Sequence, residues 1–464
     1  MGETSSLFKR LIGAWNDIAG SVTGNTKVSS DLSSQDDAES LREQMVSCLE
    51  ARGGEVSARA RAAALGHTYL ELEPEGRQRF LRIVADEFGP DTEAIDRAIA
   101  ALQMPDPEKR PALQEALREA LRPPRLRLMT QFNALPEGVK FLVDLRSDLI
   151  DFADTAEMKS LNDDLRSLLA SWFDVGFLEL RRITWDSPAS LLEKLIAYEA
   201  VHEIRSWDDL KNRLAADRRL FAFFHPRMPD EPLIFVQVAL VNGLAGNVNA
   251  LLDESAPVTD PTEADTAIFY SITNAQRGLV GISFGGFLIK RVVDELQAEF
   301  SKLKTFSTLS PIPGFARWVR RSLEDGTTAI VDDEDFKALN ELFGLEDEGL
   351  LLTGLFDDTS WATDASKQAL VEPVLIKLCA RYLLREKNRL GRAADPVAHF
   401  HLTNGAQVER LNWLADASAQ GLSQSAGMMV NYLYNLSKIE TNHEGYTGDG
   451  EVSASTSVNR LLKK

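Results

Sequence analysis

The chain has 464 residues, with 51 Lys and Arg against 70 Asp and Glu and a formal charge of -19. So acidic a chain is unsuited to broad nucleic-acid binding, which needs clustered cations to neutralise phosphates. The length exceeds one compact core and predicts two or three domains, while 44% hydrophobic and 26% charged residues give the balance of a soluble globular protein.

Cys48 and Cys379 are the only cysteines. They are too few for a disulfide framework or a cysteine-built zinc site, which fits a reducing compartment. No apolar run is long enough to span a bilayer, so no membrane partner is expected and cytoplasm is the expected location.

Residues 1–35 read as a flexible tail. Gly2 and Ser6 match the short myristoylation pattern. An amphipathic piece from Leu7 to Ile18 then runs into "GSVTGNTKVSSDLSSQDD", rich in Ser, Gly, Asn and Asp. Residues 36–186 carry the helical period: "RQRFLRIVADEF", "EAIDRAIAAL" and "ALQEALREAL" repeat apolar residues at three- and four-residue spacing. Proline or glycine at "EPEG", "FGPD", "MPDPEKRP" and "RPPR" ends each helix. An all-α helical bundle is expected there, serving self-association as a dimer or tetramer.

From residue 187 to 440 the character is α/β or α+β. "SPASLLEKLIAYEAVHEI" reads as a helix capped by Ser187 with Pro188 at its first position. The runs "RLFAFFHP", "LIFVQVALV" and "TAIFYSIT" read as strands, with Gln237 the lone polar residue of a strand covered on both faces. Residues 441–464 are polar and read as a loosely held C-terminal tail.

Three stretches can carry chemistry. In "YSITNAQRGLVGISFGGFLIKRVVDELQAEF" a strand ending near Ser271 leads through Gly278, Gly281, Gly285 and Gly286 to a helix. That order lets bare N–H groups at a helix start cradle a phosphate; its plainer alternative is a tight turn with glycines for helix packing. It is neither a Walker loop nor the dinucleotide fingerprint. Between Gln276 and Arg321 eight basic residues face three acidic ones, a local inversion suited to a polyanionic ligand or simply a solvated helix face.

In "FSTLSPIPGF" a short β-leaning run stops at Ser310, and Pro311 and Pro313 lock the chain beyond it, which suits a positioned serine or a plain loop. In "DPVAHFHLTNGAQVERLNWLAD" His399 and His401 alternate on an expected strand and point to opposite faces. They make a poor metal pair, and no metal site is expected. Either is a structural histidine or a proton carrier.

These same motifs, with "HPRMPDEPLIFVQVALV" and "GMMVNYLYNLSKIE", resemble the malonyl-CoA decarboxylase family from the first helix after the tail to near Glu440. The resemblance implies a helical N-terminal domain followed by a catalytic domain of GNAT-like acetyltransferase fold. It implies conversion of malonyl-CoA to acetyl-CoA and carbon dioxide with no metal or prosthetic group, the CoA thioester being the substrate, commonly in oligomers. It places the catalytic serine on Ser310, the catalytic histidine on His401, and the acyl-CoA loop on Val280, Gly281, Ile282, Ser283, Phe284, Gly285 and Gly286. Ser271 and Tyr434 match further polar pocket positions. Two rivals share the same cradle: a GNAT-type acetyl-CoA-dependent acyltransferase, and a non-enzymatic acyl-CoA sensor or scaffold.

Overall fold

The computed structural model describes residues 12–15, 17–19, 28–50, 55–103, 108–282, 287–324, 331–344 and 348–463. They gather into two compact units: Met1–Leu178 with His225–Glu231 and Gln276–Ser283, and Glu179–Phe224 with Pro232–Ala275 and Phe284–Lys464.

Among the described residues the helices of the first unit include α1 (Gln35–Glu50), α2 (Glu55–Glu71), α3 (Pro74–Glu87), α4 (Thr92–Leu102), α5 (Arg110–Ala120), α6 (Pro124–Asn133), α7 (Gly138–Phe152) and α8 (Ala156–Trp172). Their starts follow local chemistry. Pro74 and Pro124 sit in the first turns of α3 and α6, where a missing N–H costs nothing. Asp91 and Thr155 accept backbone N–H bonds from Ala94 and Met158 as N-caps of α4 and α8. The apolar stripes meet in an aromatic core in which Phe141 contacts Trp15, Tyr69 and Phe132 at 4.9, 5.7 and 5.0 Å between ring centroids.

Trp15 corrects the expected tail, because it is fully buried and its indole donates to the Pro136 carbonyl at 2.9 Å. A large aromatic buries readily once its N–H has a partner.

The second unit is organised by one eight-stranded sheet: β1 (Glu179–Ile183), β2 (Arg218–His225), β3 (Met228–Val241), β4 (Thr266–Asn274), β5 (Thr305–Thr308), β6 (Ser310–Pro311), β7 (Gln407–Asn412) and β8 (Met429–Leu433). The order is β1-β2-β3-β4-β5-β8-β6, with β7 also on β8. The β4–β5 pair is parallel, as a strand–helix–strand crossover requires; the crossover helix follows the glycine-containing turn. A β-bulge interrupts β3 against β4 between Gln237 and Val238. β3 is buried from Pro232 to Leu240, as its continuous apolar run predicts.

Around the sheet stand α9 (Ala189–Tyr198), α10 (Trp207–Arg213), α11 (Val248–Leu251), α12 (Phe287–Glu299), α13 (Phe315–Glu324), α14 (Asp333–Phe343), α15 (Glu348–Asp357), α16 (Ala365–Arg385), α17 (Pro396–Thr403), α18 (Ala419–Ser425), α19 (Ile439–Asp449) and α20 (Thr456–Arg460). Among the described residues no helix is long and apolar enough to cross a membrane.

Three sequence expectations give way here. Ser187 does not cap α9: Pro188 takes the N-cap position, and the Ser187 hydroxyl accepts the Thr184 N–H at 3.1 Å. His399 and His401 lie on helix α17, not on a strand. Asp395 accepts from Val397 and Ala398 as N-cap, and Pro396 presets the first turn. The polar C-terminal segment is not loose. Tyr446 of α19 is buried, its hydroxyl accepts the Ala393 N–H at 2.9 Å, and Ser455 bonds back to Val408.

Candidate active site

Strand alternation selects which side chains meet. Leu309 and Met429 join an apolar cluster with Ala239, Ile268 and Tyr270. Their neighbours Thr308, Ser310, Tyr432 and Tyr434 therefore project to the other side of the sheet. Ser310 and Pro311 remain in the ladder, paired with Val430 and Met429 of β8, so the serine is held by a strand as well as by the prolines that follow.

On that side His401, delivered by α17, meets Ser310. Ser310 Oγ lies 3.1 Å from His401 Nε2 and donates to Thr308 Oγ1 at 2.8 Å. Thr308 Oγ1 also accepts the Tyr432 N–H at 3.1 Å. His401 Nδ1 lies 2.7 Å from the Tyr434 hydroxyl. With the Ser310 proton given to Thr308, Nε2 carries the ring proton and Nδ1 accepts from Tyr434.

The His401 ring stacks on Tyr432 at 4.6 Å. The Tyr432 hydroxyl is buried with no hydrogen-bond partner among the described residues. Tyr434 is held in turn by its N–H to Phe306 O at 2.8 Å and by ring contact with Phe269.

The electrostatics are those of a buried site. Ser310 is 5% exposed and His401 3%. Burial pushes the imidazole from its ordinary 6.5 down to about 3, so the ring is neutral near pH 7. Burial likewise raises the Tyr434 hydroxyl well above 10.0. The result is a buried line, Tyr434 Oη to His401 to Ser310 Oγ, along which a proton can be passed without a charged resting state.

Other predicted residues lie elsewhere or take other partners. The Ser271 hydroxyl contacts both carboxylate oxygens of Glu199 at 2.9 Å, in a cluster that includes Thr273 and Gln237. His399 Nδ1 pairs with the Tyr446 hydroxyl at 2.7 Å. Two residues apart on a helix, the histidines still diverge, and among the described residues no group of three or more His, Cys, Asp or Glu is placed to hold a metal.

Val280 is 55% exposed, Ile282 is buried, and Gly281 has φ +78°, a conformation that favours glycine. Ser283, Phe284, Gly285 and Gly286 lie outside the described residues. Gly278 serves packing, since a Cβ there would stand 1.8 Å from the Val143 carbonyl. Arg277, Lys302 and Arg320 of the basic stretch are paired with Asp151, Glu263 and Asp357, which reduces the charge left for a ligand.

Sequence reasoning missed Thr308, Tyr432 and Asp395. The signals were present: Thr308 shares its strand face with Ser310, Tyr432 shares one with Tyr434, and Asp395-Pro396 is a helix-start signature.

Comparison with known proteins bears on this site. The family model of the malonyl-CoA decarboxylase C-terminal domain matches residues 176–464, and that of the N-terminal domain matches residues 88–173. The chain is 37% identical over 407 residues to the mitochondrial malonyl-CoA decarboxylase of Rattus norvegicus, covering 84% of this chain and 82% of the relative. It is 36% identical over 418 residues to that of Anser anser anser, covering 86% and 83%. Among solved structures it is similar to malonyl-CoA decarboxylases from Rhodopseudomonas palustris (40% identity, TM-score 0.83, 91% of this chain and 99% of that one) and from Agrobacterium vitis (43%, 0.81, 91% and 100%).

Proposed function

The chain belongs to the malonyl-CoA decarboxylase family, and on that premise we propose that Ser310 and His401 carry the conversion of malonyl-CoA to acetyl-CoA and carbon dioxide. The observation that supports these roles is the buried contact of 3.1 Å between Ser310 Oγ and His401 Nε2, backed by Tyr434 on Nδ1.

Loss of carbon dioxide leaves the bonding pair on the α-carbon, delocalised into the thioester as an enolate. The thioester is its own electron sink, so this reading calls on no metal or prosthetic group. On substrate binding the Ser310 hydroxyl turns its one proton from Thr308 to the departing carboxylate and holds that group out of the thioester plane, where the breaking bond aligns with the carbonyl system. His401 then gives its Nε2 proton to the α-carbon. Nδ1 takes the Tyr434 proton as Nε2 gives up its own; once the products leave, a solvent proton enters at Nε2 and the Nδ1 proton returns to Tyr434, which restores the starting tautomer. One proton enters, and acetyl-CoA and carbon dioxide leave. An enolate is basic enough to take its proton from a neutral imidazole, so the depressed pKa is compatible with the step.

The acyl-CoA loop from Val280 to Gly286 is proposed on the resemblance, with the left-handed backbone of Gly281 in support. Ser271 is likewise proposed as a polar pocket position on the resemblance, with its hydroxyl held by Glu199. Self-association through the helical half is proposed as well. Ile99 and Leu121 of its expected bundle stand exposed, and light scattering of the full chain should give at least twice the monomer mass.

The test is malonyl-CoA supplied alone. Wild type should release carbon dioxide and acetyl-CoA with no acceptor present, unlike an acyltransferase. His401→Ala and His401→Asn should each lower kcat by about 10²- to 10⁴-fold with little change in affinity for CoA. If both variants keep turnover and His399→Ala abolishes it, the assignment is wrong.

A further inference from the structure

We propose that Asp395 is a positioning residue that holds Ser310 against His401, an inference that rests on the catalytic assignment above. Its carboxylate is 1% exposed and meets four donors. Oδ1 accepts the N–H groups of Val397 at 2.9 Å and Ala398 at 3.0 Å, which caps the helix that carries His401. Oδ2 accepts the Gly314 N–H at 3.1 Å and the Tyr382 hydroxyl at 3.4 Å. Gly314 ends the rigid run that begins at Ser310. One side chain therefore touches both elements that deliver the catalytic pair.

The connections close a ring. From Ser310 the chain passes through Pro311, Ile312 and Pro313 to the Gly314 N–H, and crosses to Asp395 Oδ2. It leaves by Oδ1 into α17 and returns through His401 Nε2 to Ser310 Oγ. Both prolines fix φ, Ile312 is fully buried, and the helix fixes the stretch to His401. Few torsions remain free, so the two bridges made by one carboxylate set the distance between serine and imidazole.

An ordinary N-cap would need only Oδ1. It would not account for Oδ2, nor for the closeness of Gly314, where an added Cβ would lie 2.1 Å from the Tyr382 oxygen and 3.1 Å from Asp395 Oδ2. The backbone approaches the carboxylate as nearly as glycine allows.

Two substitutions separate the cap from the bridge. Asp395→Asn has the same shape but only one acceptor oxygen, so it can cap α17 or take the Gly314 N–H, not both. Asp395→Ser keeps a capping hydroxyl that is too short to reach Gly314. In the full chain with malonyl-CoA, each should lower kcat by about 10- to 100-fold while KM stays within about threefold, the scale of a misplaced catalytic group. Introduced into Ser310→Ala, each should cost less than about a further twofold, because the group being positioned is already gone.

Turnover within about twofold of wild type in both variants overturns the proposal. So does an equal fold loss in the wild-type and Ser310→Ala backgrounds, which would mark general damage. If Asp395→Asn does not fold, Asp395→Ser decides alone. Ser310→Ala and His401→Ala, measured alongside, keep the two ideas apart: full activity in both sinks the catalytic assignment, whereas loss in both with full activity in the Asp395 variants sinks only the bridge.

Discussion

A histidine driven down to about 3 by burial cannot serve as a resting imidazolium, and that constrains how a proton reaches carbon. The neutral ring must be loaded at Nδ1 as it unloads at Nε2, and the group at Nδ1 is the Tyr434 hydroxyl, 2.7 Å away. Tyr434→Phe keeps the ring packed on Phe269 and removes only that proton. We expect kcat to fall by roughly 10- to 100-fold, within the range of a lost acid–base partner, with KM for malonyl-CoA nearly unchanged. The pH profile adds a second check. Because His401 does not titrate near neutrality, wild type should show no acid limb between pH 5 and 8 that disappears in His401→Asn. Initial rates of carbon dioxide release across that range measure both, and full turnover in Tyr434→Phe would remove the tyrosine from the proton path.

At the scale of elements, the serine side of the site was legible and the histidine side was half legible. Alternation in "FSTLS" and "NYLYN" puts Thr308 with Ser310 and Tyr432 with Tyr434, and β5, β6 and β8 follow it. The segment "VAHFHL" reads as a strand because two turns of helix are too short to display a period. The deciding signal lay just ahead of it, in Asp395-Pro396. What no local pattern could show is that Oδ2 of that cap reaches Gly314, a contact made 81 residues away in the chain.

The end of α17 depends on another long-range contact. Gly405 has φ +78°, and a Cβ there would fall 2.2 Å from the Ile439 carbonyl, so α19 packs where only glycine fits. Gly405→Ala should cost about 2 kcal/mol or more, through strain and steric displacement together, read as a lower urea midpoint. An unchanged midpoint would mean that α19 yields readily.

Across the whole molecule, the two-part architecture followed from patterns the sequence displays: helical periods before residue 186, and β-branched runs after it. The burial of Trp15 and Tyr446 did not, because it depends on distant partners, the Pro136 carbonyl for one and the Ala393 N–H for the other. The same burial gives the chain an acid sensitivity of definite sign. His202, His225, His399 and His401 are all lowered from 6.5, each chiefly by desolvation. The fold therefore holds them neutral, while the unfolded chain protonates them below that value. Stability from these groups is complete above pH 6.5 and is lost as pH falls toward the depressed folded values. The buried carboxyl of Asp395 is raised from 3.8, chiefly by desolvation, and acts in the opposite sense, favouring the fold at low pH and losing that contribution as pH rises through its folded value. Calorimetry from pH 7 to pH 5 should show Tm falling with proton uptake on unfolding. His401→Asn should reduce that uptake by close to one proton per chain at pH 5. A Tm that is flat or rises over this interval would mean that the imidazoles are already charged in the fold, and the neutral proton line through His401 could not then operate as drawn.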